Sequence, residues 1–285
     1  MKILLTGCSG QVGYELQRSL QGVGEMVAVD RARMDLANLD QVRAVIREVR
    51  PGLIVNPAAY TAVDKAESEP ELAYRINAEA PAVMAEEAKR LDAALVHYST
   101  DYVFPGTDPA PRVETDVTGP VNVYGASKLA GEQAIVASGV RHLIFRTSWV
   151  YGMRGKNFLL TMLKLARERD TLRIVADQHG APTWSRTIAD STATVLAQAK
   201  AGGAAWWDAH GGIYHLSSQG QTTWFEFTQA ILEEAAITCD LVPIPSAEYP
   251  TPAARPAYSV MSSQKLVQSL CALPHWRDAL QLCMR

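Results

Sequence analysis

The sequence predicts an α/β fold, and three observations carry that expectation. Short apolar runs alternate with amphipathic helical stretches as far as Val175. The first apolar run leads at once into a glycine-spaced turn, Gly7-Cys8-Ser9-Gly10-Gln11-Val12-Gly13, which opens a helix. Beyond about Asp177 the alternation loosens and prolines accumulate. The first two observations describe β-α-β units, and hence a Rossmann-like, doubly wound parallel sheet. The third describes a smaller C-terminal α/β lobe placed to close over a substrate. The division expected is an NAD(P)-binding domain over 1–150 and a substrate-binding lobe over 151–285, partly interleaved with the first.

Each element has its own warrant. Lys2–Thr6 (KILLT) is a short apolar run ended by glycine. Gln11–Leu20 places Val12, Leu16 and Leu20 at helical spacing. Glu25–Val29 is a second strand, closed by Asp30. Leu39–Val49 aligns Leu39, Val42, Val45, Ile46 and Val49 on one helical face, and Pro51 stops it. Leu53–Asn56 and Ala94–Ser99 are the third and fourth strands. Between them Glu71–Leu91 forms a long Ala- and Glu-rich helix, bent near Pro81. Val123–Ala137 is a helix, His142–Arg146 a fifth strand, and Phe158–Arg169 with Leu172–Val175 a further helix and strand. In the second lobe Ile188–Ala201, Trp224–Ala236 and Trp276–Met284 read as helices and Gly212–Leu216 as a strand. Pro243 through Pro256 reads as extended loop, and Trp206-Trp207 as packing.

Composition narrows the class. The chain has 285 residues, 48% of them hydrophobic and 20% charged, with a net charge of −3. That is ordinary globular usage, and it lacks the basic excess of a nucleic-acid binder. No apolar window is long enough to span a membrane. Cys8, Cys239, Cys271 and Cys283 form no C-x-x-C pair, so neither a zinc site nor a disulfide framework is expected. The opening MKILLTGCSG is too short an apolar run for an export signal. A cytoplasmic setting is therefore expected.

Two motifs carry chemistry. The G-x-x-G-x-x-G turn (Gly7, Gly10, Gly13) lets a pyrophosphate approach the backbone, and the following helix start supplies N–H donors and partial positive charge. Asp30, at the end of the second strand, can accept from the adenosine ribose, which suits NADH. Arg31 and Arg33 follow it and can pair with a 2′-phosphate, which suits NADPH. Tyr124-Gly125-Ala126-Ser127-Lys128 is Y-x-x-x-K on a helix, with phenol and ammonium on one face. A free phenol, with its pKa near 10, is a poor proton donor at neutral pH. The neighbouring cation is expected to lower that pKa and make Tyr124 a workable general acid for a ketone becoming an alcohol. Ser99-Thr100 ends the fourth strand, and Thr100 would donate to the same carbonyl. His97 reads as a satisfied inter-strand histidine. Arg255 suits either a substrate pyrophosphate or the anchoring of its own loop.

The glycine loop, Thr100 and Tyr124/Lys128 resemble the extended short-chain dehydrogenases/reductases. Longer strings narrow the resemblance: Asn56-Pro-Ala-Ala-Tyr-Thr-Ala-Val-Asp-Lys-Ala-Glu67, Ser99-Thr-Asp-Tyr-Val-Phe-Pro-Gly106, Asn122-Val-Tyr-Gly125, Arg146-Thr-Ser-Trp-Val-Tyr-Gly152, Asp177-Gln-His-Gly-Ala-Pro-Thr183 and Arg255-Pro256. Along nearly its whole length the chain is similar to the dTDP-4-dehydrorhamnose reductase family. That resemblance implies reduction of the C4 ketone of dTDP-4-dehydro-L-rhamnose by NADPH or NADH, the last step of dTDP-rhamnose biosynthesis for a cell-envelope polysaccharide. It implies that Gly10, Gln11 and Val12 hold the cofactor phosphates and Asp30 the ribose. Asp35 and Leu36 would meet the adenine, and Ala59, Tyr60 and Thr61 would line the cofactor. Thr100, Asp101 and Trp149 would contact the sugar, with Tyr124 as proton donor and Lys128 at the nicotinamide ribose.

The chain also departs from the family. Some members bind Mg²⁺ at a dimer contact through glutamates. Glu15 matches one such position, but Arg186 stands where the other is expected. No metal is therefore expected, and a monomer or weak homodimer is. Two rival readings share the fold. A nucleotide-sugar dehydratase or epimerase is one, and dehydratases place Thr-Asp-Glu where this chain has Thr100-Asp101-Tyr102. A non-catalytic regulatory subunit of the methionine adenosyltransferase type is the other.

Overall fold

A computed structural model describes all residues, Met1–Arg285. Its centre is a six-stranded parallel sheet. In chain order the strands are β1 (Lys2–Leu5), β2 (Glu25–Ala28), β3 (Leu53–Asn56), β4 (Ala94–Thr100), β5 (His142–Thr147) and a last strand, Gly212–His215. Across the sheet they run Gly212–His215, β5, β4, β3, β1, β2. The order reverses between β1 and β3, and in doubly wound sheets a ligand crevice forms at such a reversal, beyond the carboxyl ends of the strands.

The inner strands are apolar on both faces because helices cover both. Leu4, Ile54, Leu95 and Ile144 pack on one face against α2 (Leu39–Val49) and the Ala80–Arg90 helix. Ile3, Leu5, Val55, Val96, Leu143 and Phe145 pack on the other, with Leu16 and Leu20 of the α1 segment (Gln11–Ser19) and Ile188, Val195 and Leu196. Burying each such side chain contributes roughly 1.5–3 kcal/mol. The sheet is thus covered partly from beyond residue 150, since both the Gly212–His215 strand and the Ser185–His210 helix belong to it.

Three elements differ from expectation. The 71–91 helix is not bent at Pro81. Its irregularity is a single π turn, Arg75–Glu79, between α-helical Pro70–Tyr74 and Ala80–Arg90. A proline ring clashes with the carbonyl four residues back, here that of Asn77, and the wider turn accommodates it. The helix expected over Ile188–Ala201 runs from Ser185 to His210, broken only at Gly203 (φ 58°, ψ −145°), and carries Trp206 and Trp207 against the core. Pro243 lies in a strand, Asp240–Ile244, paired in parallel with Thr171–Val175. A proline is tolerated there because a two-stranded ribbon is all edge. The remaining lobe packs Phe158–Glu168, Trp224–Ala235 and Trp276–Met284 around Tyr151, Leu159, Phe227 and Leu280. No helix is long and apolar enough to cross a membrane.

Candidate active site

A cleft of about 530 Å³ opens along the carboxyl ends of β1, β3 and β4. Its floor is the glycine turn. Gly7 adopts φ +54°, and a Cβ there would press to 2.9 Å on Cβ of Ala58. A Cβ on Gly13 would lie 2.1 Å from the Gly7 carbonyl oxygen. Only glycine allows this closeness of turn, helix and β3 loop. Gly10 caps α1 without a side chain, so the first-turn N–H groups beside Gln11, Val12 and Gly13 lie along the cleft wall. These donors fit an anionic pyrophosphate, so a dinucleotide suits the cleft.

One end of the cleft is walled by Arg31, Met34, Asp35 and Leu36. Asp30 is not part of that wall. It is exposed, and its Oδ1 accepts from the backbone N–H groups of Ala32 (3.1 Å) and Arg33 (3.2 Å), shaping the turn that presents Arg31. Arg33 reaches away to Glu48 at 3.0 Å. Ala59 and Thr61 line the cleft beyond β3. Tyr60 instead donates its hydroxyl to Glu69 (2.8 Å), while its backbone is clamped by Asn77.

The Val123–Ser138 helix brings Tyr124 and Lys128 to the cleft. Asn122 caps it by accepting from Gly125 N (2.8 Å). The helix start packs so closely on the 3₁₀ turn Asp101–Val103 that a Cβ on Gly125 would lie 2.2 Å from the Tyr102 carbonyl oxygen. Tyr124 meets Tyr102 edge-on, with centroids 5.8 Å apart. Thr100 donates to Asp101 Oδ1 at 2.9 Å. Ser99 Oγ, on the cleft lining, is buried without a hydrogen-bond partner, and Asp101 lies buried beside it with Ser259 close to its carboxylate.

Electrostatics here are governed by burial. It pushes the Tyr124 phenol up to about 12, opposed by the Thr100 hydroxyl and reinforced by the Asp101 charge. The expected lowering by Lys128 is not found. The lysine Nζ is turned to His97 Nε2 (3.1 Å) and the Tyr98 carbonyl (2.5 Å). Burial brings Lys128 down to about 8, and Glu132 opposes this. Burial raises Asp101 to about 6. The site thus holds Tyr124 as a neutral phenol, a group able to give a proton to an alkoxide but not to take one at neutral pH.

Several lining residues escaped sequence reasoning. Gly155 and Lys156, on the segment after Tyr151, complete the wall near the glycine turn. Asn157 then caps the next helix and also donates to Gln11 Oε1 at 2.8 Å, tying the second lobe to the turn. The only sequence signal was a basic, glycine-containing stretch, Arg154-Gly-Lys-Asn157. Trp149 does not line this cleft. It sits in the left-handed region (φ 44°) and stacks on Trp224, with centroids 3.4 Å apart and planes within 6°. A bulky residue in that conformation is strained, and such strain concentrates at ligand sites. Arg255 is held by Asp64 (2.8 Å) and the Ala253 carbonyl (2.8 Å), which is the loop-anchoring arrangement. Arg186 pairs with Asp190 at 3.4 Å, and a guanidinium so placed does not suit a metal ligand set.

Comparison with known proteins agrees with the geometry. The family model described as RmlD substrate binding domain matches residues 1–285. A dTDP-4-dehydrorhamnose reductase of Burkholderia thailandensis is 49% identical, covering 100% of this chain and 98% of its own length. The solved Bacillus anthracis dTDP-4-dehydrorhamnose reductase in complex with NADP superposes with a TM-score of 0.92 at 36% identity, over 99% of this chain and 98% of that one. The Clostridium acetobutylicum dTDP-4-dehydrorhamnose reductase gives 0.93 at 35% identity, over 100% and 98%. With the cleft, the helix-borne Tyr124 and Lys128, and likeness over the full length, the chain belongs to the RmlD substrate binding domain family, that of the dTDP-4-dehydrorhamnose reductases.

Proposed function

We propose that this protein is an NAD(P)H-dependent oxidoreductase that reduces the C4 ketone of dTDP-4-dehydro-L-rhamnose to dTDP-L-rhamnose. The observation that carries the reading is that one helix brings Tyr124 and Lys128 into the glycine-turn cleft, with the Thr100 hydroxyl at the end of β4 bonded to the Tyr124 phenol. Reduction needs a hydride at carbon and a proton at oxygen. A reduced nicotinamide held in the cleft would supply the hydride. Tyr124 holds the proton and releases it to the oxygen as negative charge develops there. Thr100, turned from Asp101, would donate to the same oxygen, and Lys128 would hold the ribose. Gly7, Gly10, Gln11, Val12 and Gly13 carry the phosphates, with Lys156 facing them. Arg31, Asp35 and Leu36 hold the adenosine end, Ala59, Tyr60 and Thr61 the middle, and Asp30 acts through the turn it shapes. Asp101 and Trp149 meet the sugar, with Trp224 behind the indole.

In this reading residues 1–150 chiefly bind the cofactor and 151–285 chiefly the nucleotide sugar. The enzyme works in the cytoplasm as a monomer or weak homodimer without a metal, and it feeds cell-envelope polysaccharide. Tyr102 follows Asp101 where dehydratases carry a glutamate, and a neutral phenol cannot replace a carboxylate in taking the proton for elimination. The test is loss of reduced-nicotinamide absorbance on addition of enzymatically made dTDP-4-dehydrorhamnose, with dTDP-L-rhamnose as product. A protein that purifies with stoichiometric NAD⁺ and converts dTDP-glucose without added reductant would instead be a dehydratase.

A further inference from the structure

Beneath the cleft four polar side chains stand in a buried row: Thr6, Asn56, His97 and Lys128. None is more than 1% exposed. Thr6 follows β1, Asn56 ends β3, and His97 is its register partner in β4. Each lies two residues beyond a core leucine or isoleucine, Leu4, Ile54 or Leu95, and so shares its face of the sheet. Lys128 descends onto the row from the Val123–Ser138 helix. Thr6 Oγ1 is 2.6 Å from Asn56 Oδ1, Asn56 Nδ2 is 3.1 Å from His97 Nδ1, and His97 Nε2 is 3.1 Å from Lys128 Nζ. A polar row inside an apolar core costs stability unless its members satisfy one another.

The chemistry of the row is restrictive. Burial and the neighbouring lysine both hold the imidazole well below its usual pKa, so it is neutral. A neutral imidazole offers one donor and one acceptor. The row can therefore run in two directions. In one, Thr6 donates to Asn56, the amide donates to Nδ1, and Nε2–H donates to Lys128 as a free amine. In the other, the amide is turned, Nδ1–H donates to its oxygen, and Nε2 accepts from Lys128 as an ammonium. In both, Nζ keeps its place against the Tyr98 carbonyl. The row ends at buried Thr6, so it cannot conduct protons to water. It can only answer to the charge of Lys128.

We propose that His97, backed by Asn56 and Thr6, is a positioning residue that partners Lys128 in both charge states by exchanging its tautomer, and so sets the proton affinity of Lys128. This rests on the reductase reading, in which Lys128 stands on the same helix as the proton-donating Tyr124 and must keep its place in the cleft in either charge state. The other groups that face Lys128 are few. On its own helix they are Tyr124 and Glu132, the latter paired with Arg146 of β5 at 2.7 Å. From β4 there is only the Tyr98 carbonyl, since the Tyr98 hydroxyl is engaged on the opposite face with Thr192 at 2.8 Å. Arg75 and Glu79, on the adjoining π turn, pair with each other at 3.2 Å.

The experiment is a titration of Lys128 by NMR of side-chain-labelled lysine, assigned against Lys128→Met and made on protein without the sugar. The outcome is therefore independent of whether the protein reduces that sugar, which the absorbance assay decides. Wild-type Lys128 should titrate near 8. Asn56→Asp fixes Nδ1–H toward a carboxylate and leaves Nε2 only an acceptor. The midpoint should rise by about one pH unit or more, tenfold in proton affinity. Thr6→Val adds no charge but removes the hydroxyl that partners the amide in both of its orientations, and should move the midpoint by less. The basic limb of the kcat profile should follow in both. A midpoint unmoved in folded Thr6→Val overturns the proposal, whatever Asn56→Asp does, because charge alone would then account for the aspartate variant. If Asn56→Asp fails to fold, Thr6→Val decides by itself.

Discussion

Tyr124, Lys128 and the three turn glycines are separated by a few residues each, and local spacing alone placed them on one face or in one turn. Groups brought together by the sheet were not visible that way. His97 meets Lys128 only through the packing of a helix on β4, and Asn157 meets Gln11 only because the second lobe closes on the first. At this scale Tyr124→Phe removes the proton held for the alkoxide but leaves the ring packed on Tyr102. Turnover should fall by about 10²–10⁴, with cofactor affinity kept; steady-state kinetics and cofactor titration check both. Arg31, not Asp30, stands in the cleft wall. Arg31→Ala should therefore raise the KM for NADPH by roughly 10–100-fold, the worth of one charge-assisted contact, and leave that for NADH nearly unchanged. Asp101 carries a pH signature. Its folded pKa of about 6 exceeds the unfolded value near 3.9, so the folded state binds its proton more tightly. Stability from this group is full below about pH 4 and is lost as pH rises through 6, about 3 kcal/mol in all. Asp101→Asn should thus be more stable than wild type at pH 7 and lose that advantage by pH 4, as denaturant titrations at both pH values would show, while binding the sugar more weakly.

Among the elements, the five strands and helices before Val175 were legible because their periodicity is strong and their stops are prolines or glycines. What escaped was context. The run around Pro81 reads equally as a bend or a π turn; what the sequence does not show is the packing of Asn77, whose side chain clamps Tyr60 and Ser127 and whose carbonyl closely approaches Gly131. Likewise Pro243 reads as a breaker until a partner strand accepts it at an edge. The glycine turn is the element with the least slack. Gly13→Ala sets a methyl 2.1 Å from the Gly7 oxygen, which only backbone movement relieves. Cofactor affinity should fall at least tenfold, and Tm should drop by several degrees, by about 1–3 kcal/mol of overpacking. Isothermal titration with NADPH and calorimetry read the two effects.

On the scale of the whole molecule, α1 packs on the Ser185–His210 helix, with Ser19 donating to Asp190 at 2.5 Å and Arg186 pairing with the same carboxylate. Chelation with EDTA should therefore leave both activity and sedimentation unchanged; a Mg²⁺-dependent dimer in the ultracentrifuge would show that other carboxylates serve. The parallel sheet itself has one more consequence. Its outermost strand, Gly212–His215, is made about 65 residues after β5, the strand it covers. At ribosomal rates of about 5–20 residues per second, β5 has to wait roughly 3–13 s for its neighbour. During that interval Leu143, Ile144 and Phe145 form an open apolar edge on the nascent chain, ready to pair with any other strand. Synthesis slowed between Thr147 and Gly212 would lengthen the exposure, so the yield of soluble enzyme is tied to the speed at which that stretch is translated.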